Sequence, residues 1–245
     1  MRREFPQLFL GLLFLAVAFV LGSAYVASTI RDARRADDAI VVTGSAKRAI
    51  TSDVAVLRFS VSNTQEDIAD AYANVQRYAA ATDAFLRTQG LGARELTRLP
   101  TDTEPVTFTE TTENGREVQR GAYRLTRRYE VQSRDVDRVV RVSQGLGELI
   151  RQGVPVVASG IEYLYTKLPD VRVELLAEAT KDARVRAQAI AQSTGASVGA
   201  VRHVSVGVFQ ITPRNSVQVD DYGSFDTSSR EKDVTAVTRV TFAIR

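Results

Sequence analysis

The chain has 245 residues, 44% of them hydrophobic and 25% charged, a globular mixture that excludes a disordered or low-complexity fibre. Its 32 basic and 29 acidic residues leave a net charge of +3, too small a surplus for the electrostatic footprint of a nucleic-acid binder. The lack of Cys removes disulfides, thiolate metal sites and Cys nucleophiles, and a single histidine, His203, removes any site that needs two imidazoles.

Chain order begins with an apolar stretch. Met1-Arg2-Arg3-Glu4 precedes Phe5 to Ile30, which carries no charge. As a helix this run would extend roughly 39 Å at ~1.5 Å per residue, against a hydrocarbon core of ~30 Å. Two readings fit. Residues 1–30 form a retained transmembrane anchor, or they form a cleaved signal peptide with Leu8–Leu21 as its apolar centre and Gly22-Ser23-Ala24 at the cleavage site. Length favours the anchor, because the apolar run continues through Tyr25, Val26 and Ala27. Arg2 and Arg3 on one side and Arg31, Arg34 and Arg35 on the other give no clear orientation. A short N-terminus before a long folded part is the usual arrangement for a domain outside the cytoplasm. Residues 31–39, with both charge signs mixed, read as a solvated linker.

The folded part runs from 40 to 245. Ile40–Gly44 and Val54–Val61 read as strands, and Thr51-Ser52-Asp53 between them predicts a hairpin. Thr64-Gln65-Glu66-Asp67 predicts a helix start with acids at the favourable end of the dipole. Ile68, Tyr72, Val75, Ala79, Thr82 and Leu86 then recur at helical spacing, with Gly90 as the closing residue. Thr97–Thr112 and Glu117–Val131 predict two strands joined at Asn114-Gly115, a strong short hairpin signal. Ser133 or Asp135 is placed to cap a second helix, whose stripe is Val136, Val139, Val140, Leu146, Leu149 and Ile150. Gly153 ends it. Val154–Thr166 reads as a strand. Pro169 suits the first turn of a third helix with Leu176, Ala179, Ala183, Ala187 and Ile190 on one face and Gly195 after its end. Strands follow at Val198–Ile211 and Val234–Ile244, with polar Thr212–Asp233 between them as a mobile loop or arm. The resulting order, ββαββαβαββ, predicts an α+β fold with a mostly antiparallel sheet, preceded by a single transmembrane helix.

Several residues in this order resemble the SIMPL domain family of bacterial envelope proteins. They are Val42-Thr43-Gly44-Ser45-Ala46 leading through Asp53 into a Val/Leu strand, an Ala-rich helix followed by Gly90-Leu91-Gly92, and Gly121-Ala122-Tyr123-Arg124. The most specific is Ala179-Thr180-Lys181-Asp182-Ala183-Arg184-Val185-Arg186-Ala187 followed by Gly195. Ser52 departs from the family pattern, which often has Pro before the Asp. The resemblance spans Ile40 to Arg245. It implies an envelope location, a link to envelope or oxidative stress, and assembly into a large ring- or cage-like homo-oligomer. It supplies no catalytic residues.

Chemical motifs are few, and each has a plain structural explanation. Ser229-Arg230-Glu231-Lys232 matches the Ser-x-x-Lys pattern, but it lies in a polar loop without a Lys-Thr-Gly strand. Gly145-Leu146-Gly147 lies within a helix and lacks the third glycine of a dinucleotide loop. His203 has no second His or Cys to share a metal. Asp220, Asp221 and Asp226 lack the spacing of a calcium loop. Arg124, Arg127 and Arg128 could hold an anion or lipid head group, although cross-strand pairing with acids accounts for them more simply. The reading is therefore no catalytic, cofactor or metal site and a non-enzymatic, membrane-anchored protein of the bacterial inner membrane. Its folded domain lies in the periplasm, and its partners are other copies of itself, with no nucleic acid. The expected contacts are the strand arm around Val106–Thr111 and the Ala-faced third helix. The alternative is a periplasmic binding module for a small amphipathic ligand or lipid. A hydrolase would need a cluster of acid, base and nucleophile that no spacing marks.

Overall fold

A computed structural model describes residues 11–23, 38–111, 114–216 and 220–245. Helix α1 covers 11–23. Then follow strands β1 (Ala39–Thr51) and β2 (Val54–Gln65), helix α2 (Ile68–Thr88), and strands β3 (Leu96–Arg98), β4 (Asp102–Thr111) and β5 (Glu117–Ser133). Helix α3 (Val136–Arg151), strand β6 (Val156–Leu164) and helix α4 (Leu168–Ser193) precede β7 (Val198–Val206), β8 (Gln210–Pro213) and β9 (Glu231–Ile244). The α+β class holds, but the transmembrane helix does not. No helix among the described residues is long and apolar enough to cross a membrane. The rest of the expected Phe5–Ile30 span, like linker residues 31–37, lies outside the described residues.

Two sheets form, and the pairs β2–β5, β2–β6, β3–β5, β4–β5, β7–β9 and β8–β9 are all antiparallel. One is four-stranded in the order β1-β9-β7, with β8 also beside β9. The other is five-stranded in the order β3-β5-β2-β6, with β4 also beside β5. The expected β1–β2 hairpin is therefore replaced by pairing of β1 with β9, while β2 lies between β5 and β6. Two expected long strands are broken. Thr97–Thr112 is interrupted at Leu99-Pro100-Thr101, where Pro100 cannot donate to a ladder. Val198–Ile211 is interrupted at Gly207-Val208-Phe209, and the Gly207 N–H turns to the Val237 carbonyl at 2.9 Å.

The chain divides into two compact units. Residues 1–46, 173–208 and 236–245 form the first. Its core joins Val42, Val240 and Phe242 of the sheet to Ala183 and Ala187 of α4. The alanines permit very close approach: a Cβ added to Gly44 would stand 2.1 Å from the Ala179 carbonyl oxygen. The Gly44–Ala179–Ala183 contact explains why small residues recur at these positions.

Residues 47–172 and 209–235 form the second unit. One face of its five-stranded sheet supplies Ala55, Leu57, Phe59, Val61, Tyr129 and Val131 to a core closed by the α3 stripe Val136, Val139, Val142, Leu146 and Leu149. Each fully buried Leu or Val of this kind contributes about 1.5–3 kcal/mol relative to exposure. Phe59 and Tyr129 stack across β2 and β5 at 5.1 Å between centroids. Helix α2 is capped by Asp67, not Thr64; the Asp67 carboxylate accepts from the Ala69 N–H at 2.6 Å. Helix α3 is capped by Asp135, which accepts from the Arg138 N–H at 3.0 Å. Gly90, Gly153 and Gly195 have the positive φ expected after the three helices.

The polar 212–233 stretch is not a free arm over 220–230. The Ile211 N–H donates to Ser224 O at 2.7 Å, the Asp226 N–H returns to Ile211 O at 2.9 Å, and the Tyr163 N–H of β6 donates to Thr227 O at 2.7 Å. This segment is a strap fixed by main-chain bonds. Residues 217–219 of the stretch lie outside the described residues.

Candidate functional site

The hairpin expected at Asn114-Gly115 forms, with strands in unbroken register from Asp102↔Thr126 to Thr111↔Glu117. Among described non-glycine residues only Asn215 has positive φ, so the turn uses Gly115 at +73° and is longer than a two-residue loop. Strand β2 accompanies β5 only as far as the Gln65↔Tyr123 pair. Beyond it, Val106–Thr111 and Glu117–Ala122 form a two-stranded ribbon. Every residue of β4 except Val106 is exposed, and so are the first five residues of β5. A two-stranded ribbon is marginal alone, which makes its side chains informative.

Register separates the ribbon into two faces. One face carries Val106, Phe108, Glu110, Val118 and Arg120; Arg120 pairs with Glu110 at 2.6 Å and reaches Glu66 at 3.5 Å. Toward its base Arg124 meets Glu104 at 3.6 Å and Arg128 meets Asp102 at 3.2 Å. The opposite face carries Thr103, Thr107, Thr109 and Thr111 with Gly121 and Tyr123. Phe108 is 44% exposed and Val118 41%. The ribbon therefore presents apolar and hydroxyl-bearing surface, and on the Phe108 face the charges of Glu110 and Arg120 are paired within the chain.

Three other strand edges are interrupted. Strand β3 has three residues, and β7 is broken by two register shifts. Strand β6 bulges between Ala158 and Ile161, where Gly160 takes φ +89° and Ser159 Oγ donates to Arg58 O at 3.1 Å. Such devices shorten the stretch over which another strand can pair. The ribbon carries Pro105 at its base and no bulge along its length.

The residues singled out in the sequence fall in separate places. Arg124 and Arg128 are cross-strand ion pairs on the ribbon side of the sheet, as their simpler explanation required. Arg127 points to the other face, opposite Val61. His203 is exposed on β7 opposite Thr241. Gly145 packs tightly, since an added Cβ would stand 2.7 Å from the Phe85 ring. Asp220 accepts from the Tyr222 N–H at 3.0 Å, and Asp226 accepts from the Ser228 N–H at 2.9 Å and its hydroxyl at 2.7 Å. Both are turn carboxylates. Among the described residues no three His, Asp or Glu are grouped to hold a metal ion.

Lys232 is 2% exposed, and its ammonium donates to the carbonyls of Tyr163 (2.8 Å) and Asp226. Burial pushes its pKa down, against the pull of Asp226. The Ser-x-x-Lys match is thus an anchor for the strap: the Ser229 N–H turns to the Asp226 carboxylate at 3.3 Å. Burial pushes the Asp226 carboxyl up, but its Ser228 and Ser229 hydrogen bonds outweigh that and hold it below the usual range.

Two structural clusters carry no motif in the sequence. Asp53 accepts from Thr166 N–H at 2.8 Å and Thr166 Oγ1 at 2.6 Å, tying the start of β2 to the end of β6. Glu95 accepts from the Ser133 hydroxyl, from Gly92 N–H at 2.9 Å and from Arg138 at 3.1 Å. Ser133 first, then Gly92, hold the Glu95 carboxyl below its ordinary value. Only the Thr51-Ser52-Asp53 turn signal pointed toward either.

The family profile named SIMPL, described as "Protein of unknown function (DUF541)", matches residues 40–242. The chain belongs to the SIMPL family. Comparison with curated proteins gave no match. The SIMPL match takes in the ribbon, the Gly44–α4 contact and the Asp53 clasp together. It assigns the family and no activity.

Proposed function

We propose that this SIMPL-family chain is a non-catalytic protein of the bacterial envelope that works by assembling with copies of itself into a closed homo-oligomer through the β4–β5 ribbon. The observation that carries this reading is the ribbon itself: ten paired positions in unbroken register, exposed beyond the end of β2 except at Val106 and Ala122. Edges of this kind aggregate or are covered by a partner, and cyclic symmetry covers them without leaving a growing end. The envelope location and the closed form draw on the family resemblance. The engagement of Lys232 by main-chain carbonyls favours a structural role over a catalytic one.

Replacing Val106–Glu117 by a short Gly-Ser turn tests the reading. The variant is expected to keep the circular-dichroism spectrum of a folded protein and to fall to subunit mass in light scattering. A folded variant that keeps the parent's oligomeric mass overturns the ribbon's role.

A further inference from the structure

The strand order of the five-stranded sheet places β4 beside β5 at one side and β6 at the other. Part of the β6 edge is already occupied: the Tyr163 N–H points outward to the strap at Thr227 O, 2.7 Å away. Ala158 and Val156 pair with Phe59 and Val61 of β2, as Tyr163 pairs with Ala55. All three β2 partners are an even number of residues apart, so the main-chain groups of Val156 and Ala158 also point outward. No charged residue occurs in Pro155–Ile161.

Side chains mark the face. Val157 pairs with Ser60, Ser60 with Arg128, and the same alternation along β5 and β4 leads to Val106 and Phe108. Val157 is 67% exposed and borders a groove of about 300 Å³ lined also by Leu99, Arg58, Arg128 and Ser159. Arg58 is held by Glu130 at 2.7 Å and Glu162 at 2.8 Å, and Arg128 by Asp102 at 3.2 Å, so the groove has no unpaired guanidinium seeking an anion. Its open wall is apolar.

We infer that the partner of the ribbon is the β6 edge of a second copy: β4 of one subunit adds to Val156–Ala158 of the next, with Phe108 seated beside Val157 in this groove. The inference rests on the self-assembly reading above and specifies its contact. Three features fit that occupant. Added strands continue the side-chain alternation of the sheet they join, which brings Phe108 and Val157 to one face. The ribbon's Glu110 and Arg120 neutralise one another, so docking strips no isolated charge of water. The bulge at Ser159-Gly160 limits the addition to a short stretch, which ends the contact after the ribbon tip and does not extend it into a stacked sheet. Opposite sides of the same sheet then meet head to tail, the arrangement that generates a ring when its rotation closes.

The natural absence of Cys makes the test direct, since any disulfide must come from introduced residues. Full-length Phe108→Cys and Val157→Cys chains are co-expressed, oxidised and run on non-reducing gels beside each single variant. A covalent dimer is expected in the mixture and in neither variant alone. The double variant is expected to form a ladder up to the full assembly. A Val157→Lys chain is expected to stay folded by circular dichroism and to drop to subunit mass. Cross-linking of Phe108→Cys alone would show ribbon meeting ribbon. An oligomer without cross-links, or an unchanged mass for Val157→Lys, would place the ribbon elsewhere. These results overturn the β6 contact and leave self-assembly standing. A parent chain of subunit mass overturns both.

Discussion

At Gly44 the constraint comes from a neighbour's backbone. An added methyl group would meet Ala179 O at 2.1 Å, Ala183 N at 2.4 Å and Ala183 Cβ at 2.7 Å, and main chain cannot rotate away as a flexible side chain can. Gly44→Ala is therefore expected to cost about 2–3 kcal/mol or more, the upper range of overpacking, read as a lowered urea midpoint. Gly121→Ala has nothing within 4 Å and is expected to leave the midpoint unchanged. Asp53 gives a pH-dependent counterpart. Burial raises its pKa, but the Thr166 hydroxyl and N–H lower it further, for a net shift downward. A depressed carboxyl pKa adds stability that is complete above the unfolded value of ~3.9 and is lost as pH falls through the folded value. Asp53→Asn keeps an acceptor for the Thr166 N–H but cannot titrate. Its urea midpoint is expected to fall less steeply than the parent's between about pH 5 and pH 2.

Helices were the most legible elements, for a local reason. Their stripes, caps and closing glycines lie within one segment, so periodicity alone finds α2, α3 and α4 to within a few residues. The α2 cap slipped from Thr64 to Asp67 because β2 runs on through Gln65 before the chain turns. Asp135 caps α3 and also pairs with Arg138 at 3.1 Å. Asp135→Ala is expected to cost about 1 kcal/mol, as N-cap removal does, measured by chemical denaturation. Strands were legible as segments but not as pairs. Thr51-Ser52-Asp53 looked like a hairpin because the sequence puts β1 beside β2, yet β1 bonds to β9 near the other end of the chain. The ribbon could be read in advance, since Asn114-Gly115 and alternating Thr, Val and Phe are adjacent in sequence. The edge at Val156–Ala158 could not, because which strand ends a sheet is decided by distant partners.

For the molecule as a whole, several polar and charged groups tie neighbouring segments together. Lys232 anchors the strap, Arg230 ties its end to Asp137 at 2.6 Å, and Glu95 joins the loop after α2 to α3 through Arg138. The exposed surface of the β4–β5 ribbon is instead built largely of Thr, Val and Phe. An interaction surface leaves a weaker mark, a strand pair longer than its sheet requires, and the mark becomes visible once the end of β2 is located.

The position of β9 has a consequence for the time order of folding. It lies between β1 and β7, so the second of these strands to be made and the first must both wait for the last. At ~5–20 residues per second, synthesis from β1 to β9 takes on the order of ten to forty seconds. Throughout that interval the four-stranded sheet lacks its middle member, and β1 has no ladder to join. A nascent chain of this design cannot close its four-stranded sheet until its last strand is made, so β1 stays open to mispairing for most of the time the chain is being synthesised.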